Sequence, residues 1–359
     1  MPTALGPIAP NLTNVAGFAR SFIKYGAIVL VILIIGRVVL NISVSVFKAL
    51  NPPKPPGPTD GFGTLPALAF PDNTATVTAY SLQTKSGSLP TLVNILPVYF
   101  MPVNKATLFS LDASKQIAAS LGYVFTPEQF SPTVYRWTKT TPLNSSLQID
   151  IVNQTFSLKT DWASDPNFLV DKSLPDSTDA QQTARNLLRT ANLLGDDMAT
   201  SEARPTYLKA SGTGYTPAVS QSEADFLRID IFRLPIQLNY PIVRPDPTMG
   251  EARIIYSGKQ DADLKIVGMN YSHFPIEYDR FETYALKTPA QAWAELQAGQ
   301  GYIALVDSGT TKAVVRDVAL AYYDSDTPQN YLQPIYVFTG DNNFFAYVPA
   351  VAPLAATTK

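Results

Sequence analysis

The longest apolar pattern in the sequence covers residues 26–47, where 15 of 22 residues are Leu, Ile, Val or Phe. A helix needs about 20 such residues to cross the hydrocarbon core of a membrane. Each of these side chains favours insertion by about 0.3–0.6 kcal/mol, and together they outweigh the cost of about 2.5–3.5 kcal/mol for one central arginine. No small-residue cleavage site follows closely, so we predict an uncleaved transmembrane helix over residues 25–47 rather than a signal peptide.

Four polar residues interrupt this apolar run, and three of them are regularly spaced. Arg37, Asn41 and Ser45 are spaced four residues apart, so they share one face of a helix. A charge inside a membrane is costly and is usually retained for a binding partner. We predict that this stripe contacts the transmembrane helix of a partner protein. The alternative is that Arg37 extends to the membrane surface and the helix is a plain anchor.

Two irregular segments flank the predicted helix. Residues 1–24 form a short tail, and residues 48–61 contain the run PPKPPGP, with five prolines in seven residues. A proline-rich run of this length favours polyproline II and spans about 20 Å. We predict that it is a spacer that holds a folded body away from the bilayer.

Charge is distributed unevenly along the sequence. Residues 1–61 carry a net charge of +4, so the rest carries −6 to give the total of −2. Basic residues are equally frequent on the two sides of the predicted helix, and the positive-inside rule leaves the orientation nearly balanced. The free amino terminus and Asp60 favour a cytoplasmic N-terminus. We therefore predict a single-pass protein of the cell membrane with an extracytoplasmic body.

From residue 62 onward the apolar positions follow short strand and helix periods. Leu147, Ile149 and Ile151 alternate with polar residues, as in a half-buried strand. The pattern L-x-I-D-I returns at residues 227–231, again after a helical pattern. This recurrence predicts an α+β fold of repeated units, each with one helix packed on an antiparallel sheet. The predicted units are residues 62–165, 176–275 and 276–352, followed by a disordered tail at 353–359.

Capping and turn residues predict where individual elements begin and end. Thr178 and Thr288 each begin a capping-box match, and Asp112 is the expected N-cap of an earlier helix over residues 112–121. Residues 74–84 and 91–101 flank Ser86-Gly87-Ser88 and are predicted to form a hairpin. Ile236, Leu238 and Tyr240 alternate, and we expect them to form the strand that returns after residues 227–231.

The composition excludes several kinds of active site. The protein has no cysteine and one histidine, His273, which excludes disulfides, thiol nucleophiles and multi-histidine zinc sites. The near-balanced charge gives no electrostatic reason to expect binding of nucleic acid. We predict no catalytic residue, no cofactor and no metal site, and we interpret His273 as a packed loop residue.

Acidic residues are the remaining candidates for chemistry. Asp150 and Asp230 occupy equivalent positions in the repeated pattern, and paired carboxylates can catalyse hydrolysis or bind calcium. We favour the alternative that both face solvent from strands whose other residues face the core. Three further acidic pairs lack the spacing of a calcium loop and are interpreted as solvated turns: Asp196 with Asp197, Asp261 with Asp263, and Asp324 with Asp326.

The C-terminal strands are rich in aromatic residues on both faces of the predicted sheet. Tyrosine is favoured at protein interfaces, so one aromatic face is a candidate surface for a protein partner. The alternative is that this second face packs against the preceding repeat. Pro334 indicates that its strand lies at a sheet edge or carries a bulge. The residues of the candidate face are Tyr323, Tyr336, Phe338, Phe345 and Tyr347.

Two bacterial families show the same arrangement of elements. A helix followed by three meandering strands resembles the PepSY module of extracytoplasmic proteins. The capped helix, the strands VALAYY (318–323) and YLQPIYVF (331–338), and the aromatic last strand resemble the YycH/YycI type of membrane-anchored regulatory protein. This resemblance covers residues 225–350 and the N-terminal layout. It implies one transmembrane helix and an outer body that regulates a sensor histidine kinase, and it implies no catalytic residues.

The functional prediction is therefore a non-enzymatic, single-pass membrane protein. Its extracytoplasmic body is expected to bind a membrane or envelope protein and to regulate or scaffold a complex there. One alternative is a PepSY-like inhibitor or chaperone of a secreted peptidase. Another is a carboxylate-based hydrolase of the cell wall, which requires two acidic side chains about 5–10 Å apart in one pocket. Self-association of the protein stays open.

Overall fold

The computed structural model describes Arg37 and residues 57–73, 77–170 and 172–354. Over these residues the protein has a mixed α+β fold with two large sheets and few helices. Within the same described part, no helix has the length and hydropathy needed to cross a membrane. Arg37 is helical and exposed. The rest of the predicted membrane segment, with Asn41 and Ser45, lies outside the described residues.

The elements are numbered here in sequence order. The strands are β1 (Ala79–Leu82), β2 (Ile95–Phe100), β3 (Glu128–Gln129), β4 (Val134–Lys139), β5 (Ser145–Asp150), β6 (Phe156–Thr160), β7 (Ala203–Ser211), β8 (Gly214–Pro217), β9 (Phe226–Ile231), β10 (Ile242–Val243), β11 (Ala252–Ser257), β12 (Ile266–Tyr271), β13 (Glu277–Ala285), β14 (Tyr302–Leu305), β15 (Lys312–Tyr323), β16 (Tyr331–Gly340) and β17 (Phe344–Pro349). The α-helices are α1 (Ser110–Ser120), α2 (Ser177–Thr190), α3 (Asp196–Ala199), α4 (Ala262–Lys265) and α5 (Pro289–Gln297).

The first sheet contains nine strands in the order β3-β4-β5-β6-β12-β11-β9-β7-β8, and every neighbouring pair is antiparallel. Helices α1 and α2 cover one face of this sheet. Ile117 of α1 and Leu188 of α2 are buried in the same core as Leu147 and Ile229 of the sheet. The period-two pattern therefore places its apolar residues against the helices and its polar residues on the opposite face.

The two L-x-I-D-I segments occupy similar places in this one sheet. The first lies on β5, between β4 and β6, and the second lies on β9, between β7 and β11. Leu147 and Leu227 both point into the helix-covered core. The two predicted units are thus continuous with each other through β12, whereas the sequence pattern predicted a separate sheet for each.

The second sheet contains eight strands, with the path β1-β15-β16-β17-β14. Strand β10 pairs with the end of β15, and β2 lies between β13 and β16. Helix α5 packs on one face through Ala292 and Leu296, against Val315 and Phe338 among others. Thr288 caps this helix with the predicted capping box, in which its side chain accepts from the Gln291 N–H and the Gln291 side chain accepts in return.

This cap yields a first expected result. Thr288→Ala removes the acceptor for the Gln291 N–H and is expected to lower the free energy of unfolding by about 1 kcal/mol. Thr288→Ser retains the hydroxyl and is the matched control, for which little change is expected. Urea unfolding of both variants measures the difference. Equal stability of the alanine and serine variants would show that the cap contributes nothing.

Several local predictions were wrong. Gly87 adopts a turn conformation with φ 69°, but the strands on its two sides do not pair with each other. Strand β1 pairs in parallel with β15, and β2 pairs with β13 and β16. The positions of β1 and β2 therefore depend on pairing with strands that are distant in the sequence, and not on the turn between them. The N-caps of α1 and α2 are Phe109 and Asp176, which precede the predicted Asp112 and Thr178.

The segment expected as a return strand after β9 is instead a tight loop. Ile236 and Tyr240 form an isolated bridge, and Gln237 and Leu238 between them have positive φ angles of 51° and 61°. From this loop the backbone reaches β10 on the second sheet and then returns to β11 on the first. The segment between β9 and β11 therefore connects the two sheets, and a strand that continued in the first sheet would not reach the second.

Pro334 lies within a central strand rather than at an edge. Its carbonyl accepts from the Ala350 N–H, so its missing N–H would face the same neighbour. On that side β16 pairs with β2 at residues 331–332 and with β17 from Ile335 onward. Proline is tolerated because it lies where one neighbouring strand replaces the other, and no ladder hydrogen bond is lost there.

Candidate functional site

The helix-free face of the nine-stranded sheet is divided into an apolar half and a polar half. Trp162 and Phe168 cover the apolar half, where they contact Phe226 and the side chains around Ile255. The polar half stays open. Its residues form one cross-strand row, in which each is the register partner of the next: Gln148, Ser157, Asn270, Arg253 and Asp230.

A cleft of about 550 Å³ lies over this polar half. Its floor is formed by the row from Gln148 to Arg253 and by Ser272 and Glu251, which lie in the adjacent row of the same face. Arg244 and Asp326, which follow β10 and β15 of the second sheet, form another wall. The Arg244 guanidinium pairs with Asp326 and donates to the Ser272 carbonyl at 2.7 Å. The cleft therefore lies where the two sheets meet.

Asp230 orients the arginine on the cleft floor. It is fully buried and accepts from Arg228 Nε at 2.6 Å, Arg253 Nε at 3.0 Å and the Gly250 N–H at 3.2 Å. A side chain at position 250 would collide with the backbone of Ile231, so glycine is required for this close approach. The expectation that Asp230 faces solvent was wrong, because Arg228, Arg253 and the Gly250 backbone enclose its carboxylate.

Asp150 has a different role from Asp230. It is half-buried, and one carboxylate oxygen accepts from the Val152 and Asn153 N–H groups at 2.9 and 3.3 Å. The carboxylate thus closes the turn between β5 and β6. Four strand spacings separate Asp150 on β5 from Asp230 on β9, which is roughly 19 Å between the backbones at 4.7–4.9 Å per strand. The hypothesis of a hydrolytic carboxylate pair gains no support from this separation.

A buried ionic network lies behind the cleft. Arg233 lies two residues beyond the end of β9, and its side chain has 0% exposure. Its Nε lies 3.3 Å from Asp324 Oδ2 and 3.8 Å from Glu251 Oε1, and its Nη1 lies 3.3 Å from Asp197 Oδ2. One further guanidinium nitrogen donates to the Phe274 carbonyl. The network joins α3 and the ends of β9 and β12 on the first sheet to the end of β15 on the second.

His273 extends this network toward the surface. Its Nε2 lies 2.9 Å from Asp197 Oδ1, and the Tyr278 hydroxyl donates to Asp197 Oδ2 at 3.3 Å. Asp197 and Asp324 are therefore structural members of a buried network, and the prediction that they lie in solvated turns was wrong. The signal in the sequence was Arg233 itself, which is a lone charge within the apolar run IFRLPI. Full burial of arginine requires carboxylate partners.

The network shifts the pKa values of its members in opposite directions. Burial opposes ionisation of Asp197, but the His273 hydrogen bond and the Arg233 charge outweigh it, so the pKa of Asp197 lies below its ordinary value. For Glu251, burial outweighs the attraction of Arg233 and Arg244 and raises its pKa to about 7. One arginine thus faces three carboxyl groups, and burial favours the protonated form of Glu251.

Three polar groups of the cleft have unused hydrogen-bonding capacity. Both carboxylate oxygens of Glu251, the Ser272 hydroxyl and Arg253 Nη2 are buried and have no hydrogen-bond partner among the described residues. Glu251 as a whole has 2% exposure. Buried polar groups without partners are rare in folded proteins and call for an explanation. Across the part of the protein that the structure describes, no cluster of His, Asp and Glu has the arrangement of a metal site.

The predicted aromatic face does not form an exposed surface. Tyr336 and Phe338 are buried in the core beneath α5, and Tyr323 and Tyr347 are buried on the opposite face of the sheet. The segment that contains Phe70 covers that opposite face, with the rings of Phe70 and Tyr323 4.6 Å apart. Phe345 is half-buried beside them. The alternative of a covered face is therefore closer to the structure, and the cover combines the segment of Leu68 and Phe70 with Val243 of the predicted second unit.

Comparisons with known proteins identify no family for this protein. No protein-family model matches it, and no curated protein matches it. One similar solved structure is an uncharacterized protein from Eubacterium rectale, with 11% identity and a TM-score of 0.36, over 72% of this protein and 84% of that one. A likeness at this score carries no argument. The resemblance to YycH/YycI and PepSY proteins gains no support here and stays a prediction.

Proposed function

We propose that this protein is a membrane-anchored, non-enzymatic binding protein whose body lies outside the cytoplasm and binds an envelope partner protein at the cleft. The observation that supports binding is the cleft itself, with its unpartnered Glu251, Ser272 and Arg253 groups. A partner segment that supplies the missing hydrogen bonds would remove the cost of leaving these groups buried and unpaired. The apolar segment over residues 26–47 supports the anchor.

The regulatory part of the proposal depends on the predicted membrane helix. Arg37, Asn41 and Ser45 form its polar stripe and are proposed to contact a partner helix, as in a regulator of a sensor kinase. The cleft provides a second contact outside the membrane. Two weak contacts on one tether act at high effective concentration, so neither needs high affinity by itself.

Site-specific photocrosslinking of the full-length protein in its native membrane tests the proposal. A photoreactive residue at Asn270 lies on the exposed floor of the cleft. The same residue at Gln182, exposed on α2 beyond the opposite face of the sheet, is the matched control. We expect a light-dependent protein adduct at position 270 that is absent at position 182 and weaker when Ser272→Ala is also present. Adducts of equal yield at both positions, or none at 270, would contradict the proposal.

A further inference from the structure

The chemistry of the free groups in the cleft indicates what they bind. The carboxylates of Asp150, Asp230 and Asp326 already accept hydrogen bonds from the protein itself. The Arg244 guanidinium is likewise engaged, with Asp326 and the Ser272 carbonyl. Among the buried polar atoms of the cleft, the remaining capacity therefore consists of donors, at Arg253 and Ser272, and of the Glu251 carboxyl group.

These three groups are close together on neighbouring strands. Glu251 and Arg253 are two residues apart along the β11 segment, so their side chains extend from the same face. The Ser272 N–H donates to the Glu251 carbonyl at 2.8 Å, which places Ser272 directly beside Glu251. Arg253 Nε is fixed on Asp230 at 3.0 Å, and this contact leaves the Nη2 group for another acceptor. A planar group with two acceptor oxygens matches this set of donors.

We propose that the cleft binds a carboxylate group, which accepts hydrogen bonds from Arg253 Nη2, from the Ser272 hydroxyl and from a protonated Glu251. This inference rests on the proposed function, because it names the chemical group by which the partner is recognised. The carboxylate comes from the C-terminus of a peptide, an acidic side chain or a small dicarboxylate. All three present the same two oxygens to the same donors.

Binding of an anion at this position is coupled to a proton. Glu251 faces Arg233, Arg244 and Asp324, with Asp197 and His273 farther along the network. An ionised Glu251 would repel the bound carboxylate, whereas a protonated Glu251 donates to it. Because the pKa of Glu251 is about 7, the protonated fraction falls roughly tenfold between pH 6 and pH 8. We expect the affinity for the carboxylate to fall by about the same factor.

The test is to titrate the full-length protein in lipid nanodiscs with four probes and to measure binding by calorimetry at pH 6 and pH 8. The probes are glutarate, a short acetylated peptide with a free C-terminus, the same peptide with an amidated C-terminus, and inorganic phosphate. We expect binding of glutarate or the free-acid peptide at pH 6, about tenfold weaker binding at pH 8, and none of the amidated peptide. The stronger of the first two probes identifies the source of the carboxylate.

Variants distinguish the cleft from other sites. Ser272→Ala removes a hydroxyl that makes no hydrogen bond among the described residues, so the fold is retained and affinity is expected to fall about fivefold. Ser81→Ala is the matched control, because its hydroxyl is also buried without a partner but lies on β1 of the other sheet. Glu251→Gln is expected to bind with little dependence on pH.

Specific outcomes overturn the inference. Binding of phosphate alone, equal binding of free and amidated peptides, equal affinities of the Ser272 and Ser81 variants, or no binding of any carboxylate would each do so. A cleft adduct in the crosslinking experiment together with absent carboxylate binding would leave the proposed function standing and reject the carboxylate. Carboxylate binding without a protein adduct would reject the partner protein and retain the site.

Discussion

Replacing Arg233 by methionine is expected to lower the free energy of unfolding by about 3–5 kcal/mol, because it leaves buried carboxylates without a counter-charge. Arg233 has a fully buried side chain, and it lies 3.3 Å from both Asp324 and Asp197. Methionine fills similar volume, so the loss measures the charge rather than a cavity. Urea unfolding at pH 7 is the measurement.

Two variants serve as controls for this result. Arg316→Met breaks an arginine–aspartate pair at the surface, where the Arg316 and Asp341 side chains are 49% and 44% exposed, and little change is expected. The double variant Arg233→Met with Asp324→Asn removes a charge that the single variant leaves uncompensated. It is expected to regain part of the lost stability. If Arg233→Met costs no more than Arg316→Met, the network does not hold the two sheets together.

The stability difference between the wild-type protein and Glu251→Gln is expected to change with pH. The ordinary pKa of glutamate is 4.5, and in the folded protein the pKa of Glu251 is about 7. Between these values the unfolded protein releases the proton and the folded protein keeps it. Stability from this group is therefore complete below pH 4.5 and is lost as the pH rises through 7. From pH 5 to pH 8 the wild type is expected to lose about 2–3 kcal/mol relative to the variant.

Subtraction of the variant isolates Glu251 from the other titrating groups. Asp197 has a lowered pKa and contributes in the opposite direction, with stability that is lost at low pH. Both proteins contain Asp197, so its effect cancels in the difference. Urea unfolding at pH 5, 6, 7 and 8 supplies the curves. A stability difference between the two proteins that stays constant over this range would show that the pKa of Glu251 is not raised in the folded protein.

The same carboxyl group connects stability with the proposed binding. Glu251 lies between the Arg233 network and the open cleft, so its proton affects both. A bound carboxylate would favour the protonated form, which is also the form that costs least to bury. Ligand binding is therefore expected to stabilise the junction of the two sheets more strongly at pH 6 than at pH 8, because Glu251 keeps its proton at the lower pH.

The sequence by itself determined the local elements whose signals are complete within a few residues. The capping box at Thr288 formed as predicted, because both of its hydrogen bonds join residues three apart. The alternation at 147–151 correctly predicted which side chains of β5 are buried. The class, an α+β fold, followed from the sum of these patterns.

The tertiary structure alone decided what the polar residues of those strands do. The period-two pattern predicts that Asp230 points away from the helices, but it does not predict which residues surround Asp230 on the helix-free face of the sheet. Arg228, Arg253 and Gly250 reach Asp230 from neighbouring strands, and Arg233 meets Asp324 across 91 positions of sequence. Strand order and the packing of the two sheets depend on contacts between residues that are distant in the sequence, because these contacts bury apolar surface. The cleft results from these long-range contacts, so no local sequence pattern predicts it.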